Sequence, residues 1–489
     1  MDIPIRIVTR GSVMRMSPMS TKLRMLTDKV ASFVRMGGDR VSEKIKLYEV
    51  TENHIETFSG LLPRFMVEFQ KRGFVPEISH LIKHNLQAYT DELSDEDLEY
   101  MRDREDQISV LGLIGEHTGG FLVNAPTGWG KSFVVRYVCR LFKDARIAIV
   151  TPGVDLVESM YKLLKERIRG VGAVSMNHDH IDRVTVSTID SMEKLRGIEW
   201  DILLFDEAHR AGSPCVSNAI ATTFHTAKCV GFSASPVGRT DNADLVVEAL
   251  FGPVIYNVSY QEGVERGAVS PIRVEMYRVP NGPSCEGKAS VVRNRHGLWR
   301  NKHRNKLIAD ICGALPADEQ ALIIVGTAEH AIRLHGLLPD WPVVFSTAGK
   351  GAVKLLTKGE LPWIDGMEPG GNMSKAYREQ CRLDFESGKM KRAIATGVWN
   401  TGVDFTNLRW LIRADGLASV IQSIQTPGRL SRKSDGKTYG TLIDFQDEFD
   451  SGLLRRSAAR KRQYASMGWV VNIIDAQTGQ ICTYKPRKR

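Results

Sequence analysis

No stretch of this chain holds 18 consecutive apolar residues, so it offers no candidate for a membrane-spanning helix. Met1–Met19 alternates apolar residues with arginine and has no apolar block, so it does not read as a signal peptide. Cysteine is sparse: there are seven, at 139, 215, 229, 285, 312, 381 and 482, and no CxxC pair. That scatter offers neither a structural zinc site nor a disulfide framework, and it suits a reducing cytoplasm. No short-period repeat is present, and nothing before residue 90 carries a catalytic signature. Acidic residues are nearly absent at the C-terminal end. Leu453–Arg489 holds nine Lys or Arg against Asp475 alone, which accounts for almost all of the net charge of +9.

A second basic stretch, Lys288–Lys306, contains Arg293, Arg295, Arg300, Lys302 and Arg304 and no acid. Concentrated positive charge suits a polyanionic partner, and equally a solvated, solubilising tail. Trp299 and His303 among these cations suit either a stacking platform for bases or an interdomain linker.

With 489 residues the chain is too long for one hydrophobic core. Residues 1–92 read as a small α+β accessory domain, with a strand over Ile45–Val50 and a helix over Leu61–Arg72. The acidic segment Asp91–Asp106 reads as a surface helix or linker. From Gly119 short apolar runs alternate with helical stretches: Phe121–Val123, Ile147–Val150, Val184–Val186, Ile202–Phe205 and Cys229–Phe232. The pattern breaks at Pro280–Gly287 and resumes at Ala321–Val325, Val343–Phe345, Ala393–Ala395, Trp410–Ile412 and Thr441–Ile443. Buried parallel strands separated by helices read this way. The expected class is therefore α/β, with two tandem doubly wound parallel-sheet domains over 93–279 and 280–452 and a basic C-terminal extension over 453–489. The Gly-rich span Ser346–Lys375 reads as a loop.

Phe121–Ser132 is a strand, a glycine-containing turn and the start of a helix. Backbone N–H groups of such a turn cradle phosphates, and the helix N-terminus adds its dipole. The turn residues Ala125, Pro126, Thr127, Gly128, Trp129 and Gly130 are thus candidate nucleotide contacts. Lys131 would reach the β- and γ-phosphates of ATP and the Ser132 hydroxyl would ligate Mg²⁺. Ala125 stands where the common pattern has its first glycine. Trp129 either packs or stacks on a ligand. Further on, the apolar run Ile202–Phe205 ends in Asp206-Glu207-Ala208-His209. Two adjacent carboxylates at a strand end suit a Mg²⁺ ligand, Asp206, and a group that orients the attacking water, Glu207.

Lys131 together with Asp206-Glu207-Ala208-His209 resembles the superfamily 2 helicases, and further segments follow in the family's order. Arg104-Glu105-Asp106-Gln107 resembles the element that reads adenine. Thr151-Pro152 and Val186-Ser187-Thr188 resemble strand-contacting motifs. Ser233-Ala234-Ser235 resembles the S-A-T-P element that couples hydrolysis to lobe movement, with Ser235 for the usual threonine; His209 would link it to the nucleotide. Ala395-Thr396 with Thr401-Gly402-Val403-Asp404 resembles the fifth motif, and Gln425 to Arg429 and Arg432 match Q-x-x-G-R-x-x-R.

The resemblance, which runs from Arg104 to Asp444, is nearest to UvsW, RecG and XPB-like DNA translocases, phage helicases among them. It implies two RecA-like lobes and an ATP- and Mg²⁺-dependent motor. Lys131, Asp206, Glu207, Gln425, Arg429 and Arg432 would be catalytic, Gly402 and Asp404 would lie at the nucleotide, and Thr151, Pro152, Thr188 and Thr396 would grip nucleic acid. The implied partner is single-stranded, duplex or branched DNA, with RNA as an alternative; the resemblance does not fix a protein partner, replication or recombination proteins being the candidates. An RNA helicase, a motor subunit of a larger machine and an idle clamp remain open alternatives at this point.

Overall fold

The computed structural model describes residues 4–485 apart from 37–41, 82–85, 103, 127, 235–242, 400–404, 418–426 and 433–435. The chain forms two compact units, Met1–Pro126 with Gly130–Val258, and Thr127–Trp129 with Ser259–Arg489.

The first unit holds an eight-stranded sheet. Its order is Asp179–His180, Val171–Val174, Val184–Thr188, Ile147–Thr151, Ile202–Asp206, Lys228–Ser233, Phe121–Asn124 and Val254–Asn257. Every neighbouring pair is parallel except the first. Parallel strands are covered on both faces, so their sequences run apolar without alternation. Ile147–Thr151 and Val184–Thr188 are buried at every position.

The N-terminal module of this unit is a five-stranded sheet, ordered Tyr48–Val50, Ile55–Phe58, Val13–Ser17, Arg6–Arg10 and Glu77–His80. Helices Thr21–Val30 and Leu62–Lys71 share one core with it through Leu23, Leu26, Phe65 and Phe69. The expected single strand Ile45–Val50 is divided. Ser42–Lys46 pairs with Ser32–Met36, while Tyr48–Val50 joins the larger sheet. The break falls at Leu47, whose N–H donates to the Ala31 carbonyl at 2.8 Å.

The module is docked tightly onto the helix Asp244–Phe251. Arg64 forks onto both Glu248 oxygens at 2.6 and 2.7 Å. A Cβ on Gly60 would lie 2.3 Å from the Glu248 carbonyl oxygen, so only glycine allows this approach.

The second unit repeats the architecture. Its sheet runs Val343–Val344, Arg392–Ala395, Gln320–Ile324, Leu408–Arg413, Gly440–Asp447, Ile272–Val279, Val470–Ile474 and Ile481–Thr483, parallel except for the last pair. Two of these placements differ from the spans expected from sequence. Ile272–Val279, within the span drawn for the first lobe, is a strand of the second sheet. The residues after 453 do not stand apart from the fold. The helix Ser451–Ser466 packs on the sheet, and Val470–Ile474 and Ile481–Thr483 extend it. The expected loop Ser346–Lys375 contains a helix, Gly349–Thr357.

A buried charge network ties the last helix down. The Arg460 guanidinium bonds both Asp444 oxygens at 2.8 Å, and Tyr464 donates to the same carboxylate at 2.7 Å. Arg413 reaches the Tyr464 hydroxyl at 3.0 Å, both Asp415 oxygens, and the Leu417 carbonyl. Burial would raise the Asp444 carboxyl, but the Arg460 and Arg413 guanidinium groups outweigh it and hold the carboxyl below its ordinary value. Removing one partner from such a pair strands a buried charge and typically costs about 3–5 kcal/mol. Arg460→Ala is therefore expected to lower the denaturant stability of the second unit by about that amount. A loss below about 1 kcal/mol, in the range of an exposed pair, would contradict this assignment.

Candidate nucleotide site

The chemistry gathers where the first sheet's strands end. Phe121–Asn124 leads through Ala125 and Pro126 into a turn, and the turn into the helix Lys131–Leu141. The turn needs glycine. Gly128 and Gly130 have φ of +89° and +103°, values that side-chain-bearing residues avoid. A Cβ on Gly130 would also sit 3.2 Å from Gln107 Nε2 and 3.6 Å from Arg104 Nη1. The candidate adenine-reading pair is thus brought against the phosphate turn. Arg104 lies over the rings of Tyr100 at 4.4 Å and Phe133 at 4.9 Å, which holds its guanidinium by cation–π attraction. Gln107 and Trp129 are buried, while Ser132 is exposed in the first helical turn.

Lys131 and Asp206 face each other at the ends of their elements, with Nζ 3.7 Å from Oδ1. Burial would push the Lys131 ammonium down, but the Glu207 and Asp206 carboxylates outweigh it and raise it. Burial raises the Asp206 carboxyl, Lys131 opposes that shift, and Glu207 adds to it. Glu207 has φ +56°, the left-handed region that a glutamate rarely adopts. Its N–H donates to Asp206 Oδ1 at 3.0 Å. The turn brings Glu207 Oε2 to 3.3 Å from His209 Nδ1, and the same nitrogen lies 3.1 Å from the Ser233 hydroxyl. His209 is 3% exposed and Ser233 fully buried, so the imidazole–hydroxyl contact sits in a low-dielectric interior where hydrogen bonds are strong, with the partly exposed Glu207 carboxylate at the same ring nitrogen.

Thr151 and Thr188 end adjacent strands in matched register. The Thr151 hydroxyl donates to the Gly153 carbonyl at 3.4 Å, and Gly153 rather than Thr151 precedes the helix Val154–Lys165. Pro152 is half-buried in the turn between them. Thr396 follows the strand Arg392–Ala395 in the second unit, where its N–H donates to the Val344 carbonyl at 3.0 Å.

In the same unit Arg429 donates to the Trp399 carbonyl at 2.8 Å and lies 5.8 Å from the Phe405 ring. Burial pushes Arg429 and Arg432 down to about 10, with Glu386 opposing, so both remain cationic at neutral pH. Thr127, Ser235, Gly402, Asp404 and Gln425 lie outside the described residues. Sequence reasoning missed Tyr100 and Phe133 beside Arg104; the signal available for Phe133 was its place directly after Ser132.

Two tandem RecA-like sheets of this kind are the fold of superfamily 2 helicases. Residues 83–238 match the family model of the type III restriction enzyme res subunit. The ATP-dependent DNA helicase UvsW of Enterobacteria phage T4 is 24% identical over 374 residues, spanning 72% of this chain and 69% of that one. The DNA 3′-5′ translocase XPB2 of Sulfurisphaera tokodaii is 26% identical over 366 residues, spanning 68% and 80%. Among solved structures, the ATP-dependent type ISP restriction-modification enzyme LlaBIII bound to DNA shares the fold. It has a TM-score of 0.52 at 14% identity, with 86% of this chain and 36% of that one covered. The chain is thus similar to superfamily 2 helicases, with UvsW- and XPB-type relatives. Among the described residues no helix is long and apolar enough to cross a membrane.

A side chain at Gly130 would meet both an unfavourable φ and Gln107. Forcing a residue into such backbone costs about 1–3 kcal/mol. Gly130→Ala is expected to weaken nucleotide binding by roughly tenfold, read by titration of a fluorescent ATP analogue. Unchanged affinity would separate this turn from the nucleotide.

Proposed function

We propose that the protein is an ATP-dependent DNA helicase or translocase that couples ATP hydrolysis to movement on DNA, branched DNA above all, during replication, recombination or repair. The observation that carries this reading is the line from Lys131 through Asp206 and Glu207 to His209 and Ser233. It joins the glycine turn to the end of the strand Lys228–Ser233.

In this reading the triphosphate lies on the glycine turn, with Lys131 on its outer phosphates and Arg104 and Gln107 at the base. The Asp206 carboxylate and Ser132 hydroxyl are hard oxygen donors that fit Mg²⁺, which keeps several of its own waters. When bound, that ion would neutralise charge on the phosphates. Glu207 orients the water that attacks the γ-phosphorus, and ADP leaves as the bridging bond breaks. Arg429 and Arg432 would supply cations that offset charge on the transferring group, and Gln425 a neutral amide donor; such arginines contribute about 10³–10⁵ in rate. The resemblance to superfamily 2 helicases assigns Gly402 and Asp404 to the nucleotide as well. His209 passes the change in Glu207 to the Ser233–Ser235 element. Thr151, Pro152, Thr188 and Thr396 hold the phosphate backbone without reading sequence, as a motor requires.

The test is steady-state ATP hydrolysis without nucleic acid and with single-stranded, duplex, forked DNA and matched RNA. Stimulation by DNA, greatest with forks, is expected, and Lys131→Ala should abolish it. Glu207→Gln should cut turnover by on the order of 10²-fold or more while ATP still binds. Stimulation by RNA alone would reassign the substrate, and an active Lys131→Ala would overturn the site.

His209→Ala provides a separate check. Because His209 touches Glu207 and Ser233 together, its loss should lower strand displacement per ATP hydrolysed more than hydrolysis itself. An equal loss of both would make it only a structural neighbour of Glu207.

A further inference from the structure

We infer that the second unit carries a docking face for duplex DNA, assembled from two stretches far apart in sequence: the helical segment Ser290–Trp299 and the helix Ser451–Ser466. The inference rests on the reading of the protein as a DNA motor and adds a contact surface to it.

The fold brings the two stretches into direct contact. Arg456 donates to Asn294 Oδ1 at 2.6 Å and to Ser290 Oγ at 2.8 Å. Arg293 pairs with Asp450 at 2.9 Å. A Cβ on Gly452 would fall 2.7 Å from Arg293 Cζ, and one on Gly297 would fall 2.7 Å from Leu453 Cδ1, so a side chain at either position would displace the Arg293 or Leu453 side chain. The underside of the long helix is fixed by the Arg460–Asp444 pair and by buried Leu453, Ser457 and Tyr464. The face is therefore rigid and pre-organised, which reduces the entropic cost of binding.

Its outer side is cationic. Arg295, Arg455 and Arg462 are exposed, and none of them takes part in an ion pair among the described residues of this unit. Arg455 and Arg462 are seven residues apart, two helical turns or about 10 Å along one stripe. The acids beside them are engaged. Asp450 holds Arg293, while Glu286 accepts from the Ser451 N–H at 2.6 Å and hydroxyl at 2.8 Å. Arg456 is held below its ordinary value by burial and by the Arg293 and Arg460 cations. Like charge crowded in this way is relieved by a polyanion.

The choice of duplex follows from what the face lacks. Binding of single strands relies on exposed aromatic platforms on which bases stack. Tyr464 and Trp469 are buried and Trp299 is half-buried, so neither stretch exposes a Phe, Tyr or Trp among the described residues; the surface carries the cations with His296 and the aliphatic Val291, Val292 and Leu454. Such a surface contacts the sugar-phosphate backbone of a helix whose bases are already paired.

The experiment uses the full chain with Arg295, Arg455 and Arg462 all changed to Ala, beside a triple Lys variant. Binding to a blunt duplex and to a single strand of equal length is measured by fluorescence anisotropy across a salt series. Loss of three phosphate contacts should make the slope of log K against log salt shallower by about 2–3 for duplex and reduce affinity on the order of tenfold or more. The single strand and basal hydrolysis should be unaffected, and the Lys variant should bind as wild type does. Wild-type duplex affinity and slope in the Ala variant would overturn the inference, as would an equal loss for the single strand. Should the wild-type protein bind no DNA, the motor reading itself fails, and this face fails with it.

Discussion

The arrangement depends on three strands of the first sheet ending at one level. Ile202–Asp206, Lys228–Ser233 and Phe121–Asn124 are consecutive and parallel, and their register pairs Asp206 with Phe232 and Ser233 with Asn124. Neighbouring strands lie about 4.8 Å apart. A lysine one turn beyond the third strand, a carboxylate at the end of the first and a hydroxyl at the end of the second therefore come within reach of one another. The 3.7 Å approach of Lys131 to Asp206 and the His209 bridge to Ser233 follow from that register. The remaining special features serve it. Gly231 has no Cβ because one would lie 2.8 Å from Ala208, directly beneath the carboxylates. Glu207 accepts a left-handed backbone, a strained conformation of the kind that clusters at working sites.

The strand that ends in Ser233 also links the site to the N-terminal module. After residues 235–242 the chain forms the helix Asp244–Phe251, which carries Glu248 and Ala249. Ala249 lies in the module's own hydrophobic core, and Glu248 receives Arg64. The module and the first sheet therefore share one packed body, and the element next to Ser233 along the chain is the one on which the module rests.

Much of this was legible in the sequence, for a physical reason. Strands covered on both faces must be apolar throughout, so each central strand of the first sheet appeared as an unbroken run. The turn was legible because a strand-to-helix turn of this kind needs glycine, and the facing carboxylates because they close an apolar strand run. The misplaced elements are those whose polarity is mixed. Ile272–Val279 alternates apolar residues with Arg273, Glu275 and Arg278, which obscured it as a sheet strand. In Ser451–Ser466 the run of cations hid a buried stripe of Leu453, Ser457, Arg460 and Tyr464, spaced by four, three and four residues as a helix face requires. Arg460 reads as a solvated charge unless its partner Asp444, on another element, is known. The cation–π seat of Arg104 depends in the same way on two helices meeting, which no local spacing encodes.

If ATP hydrolysis drives movement along DNA, triplex displacement reads it directly. A third strand annealed to a duplex is displaced only by a motor that travels along the duplex. Displacement should appear with ATP, be absent with a non-hydrolysable analogue, and lag longer as the approach track is lengthened. Vigorous DNA-stimulated hydrolysis with no displacement on any track would contradict it, and would leave a DNA-dependent ATPase that does not step.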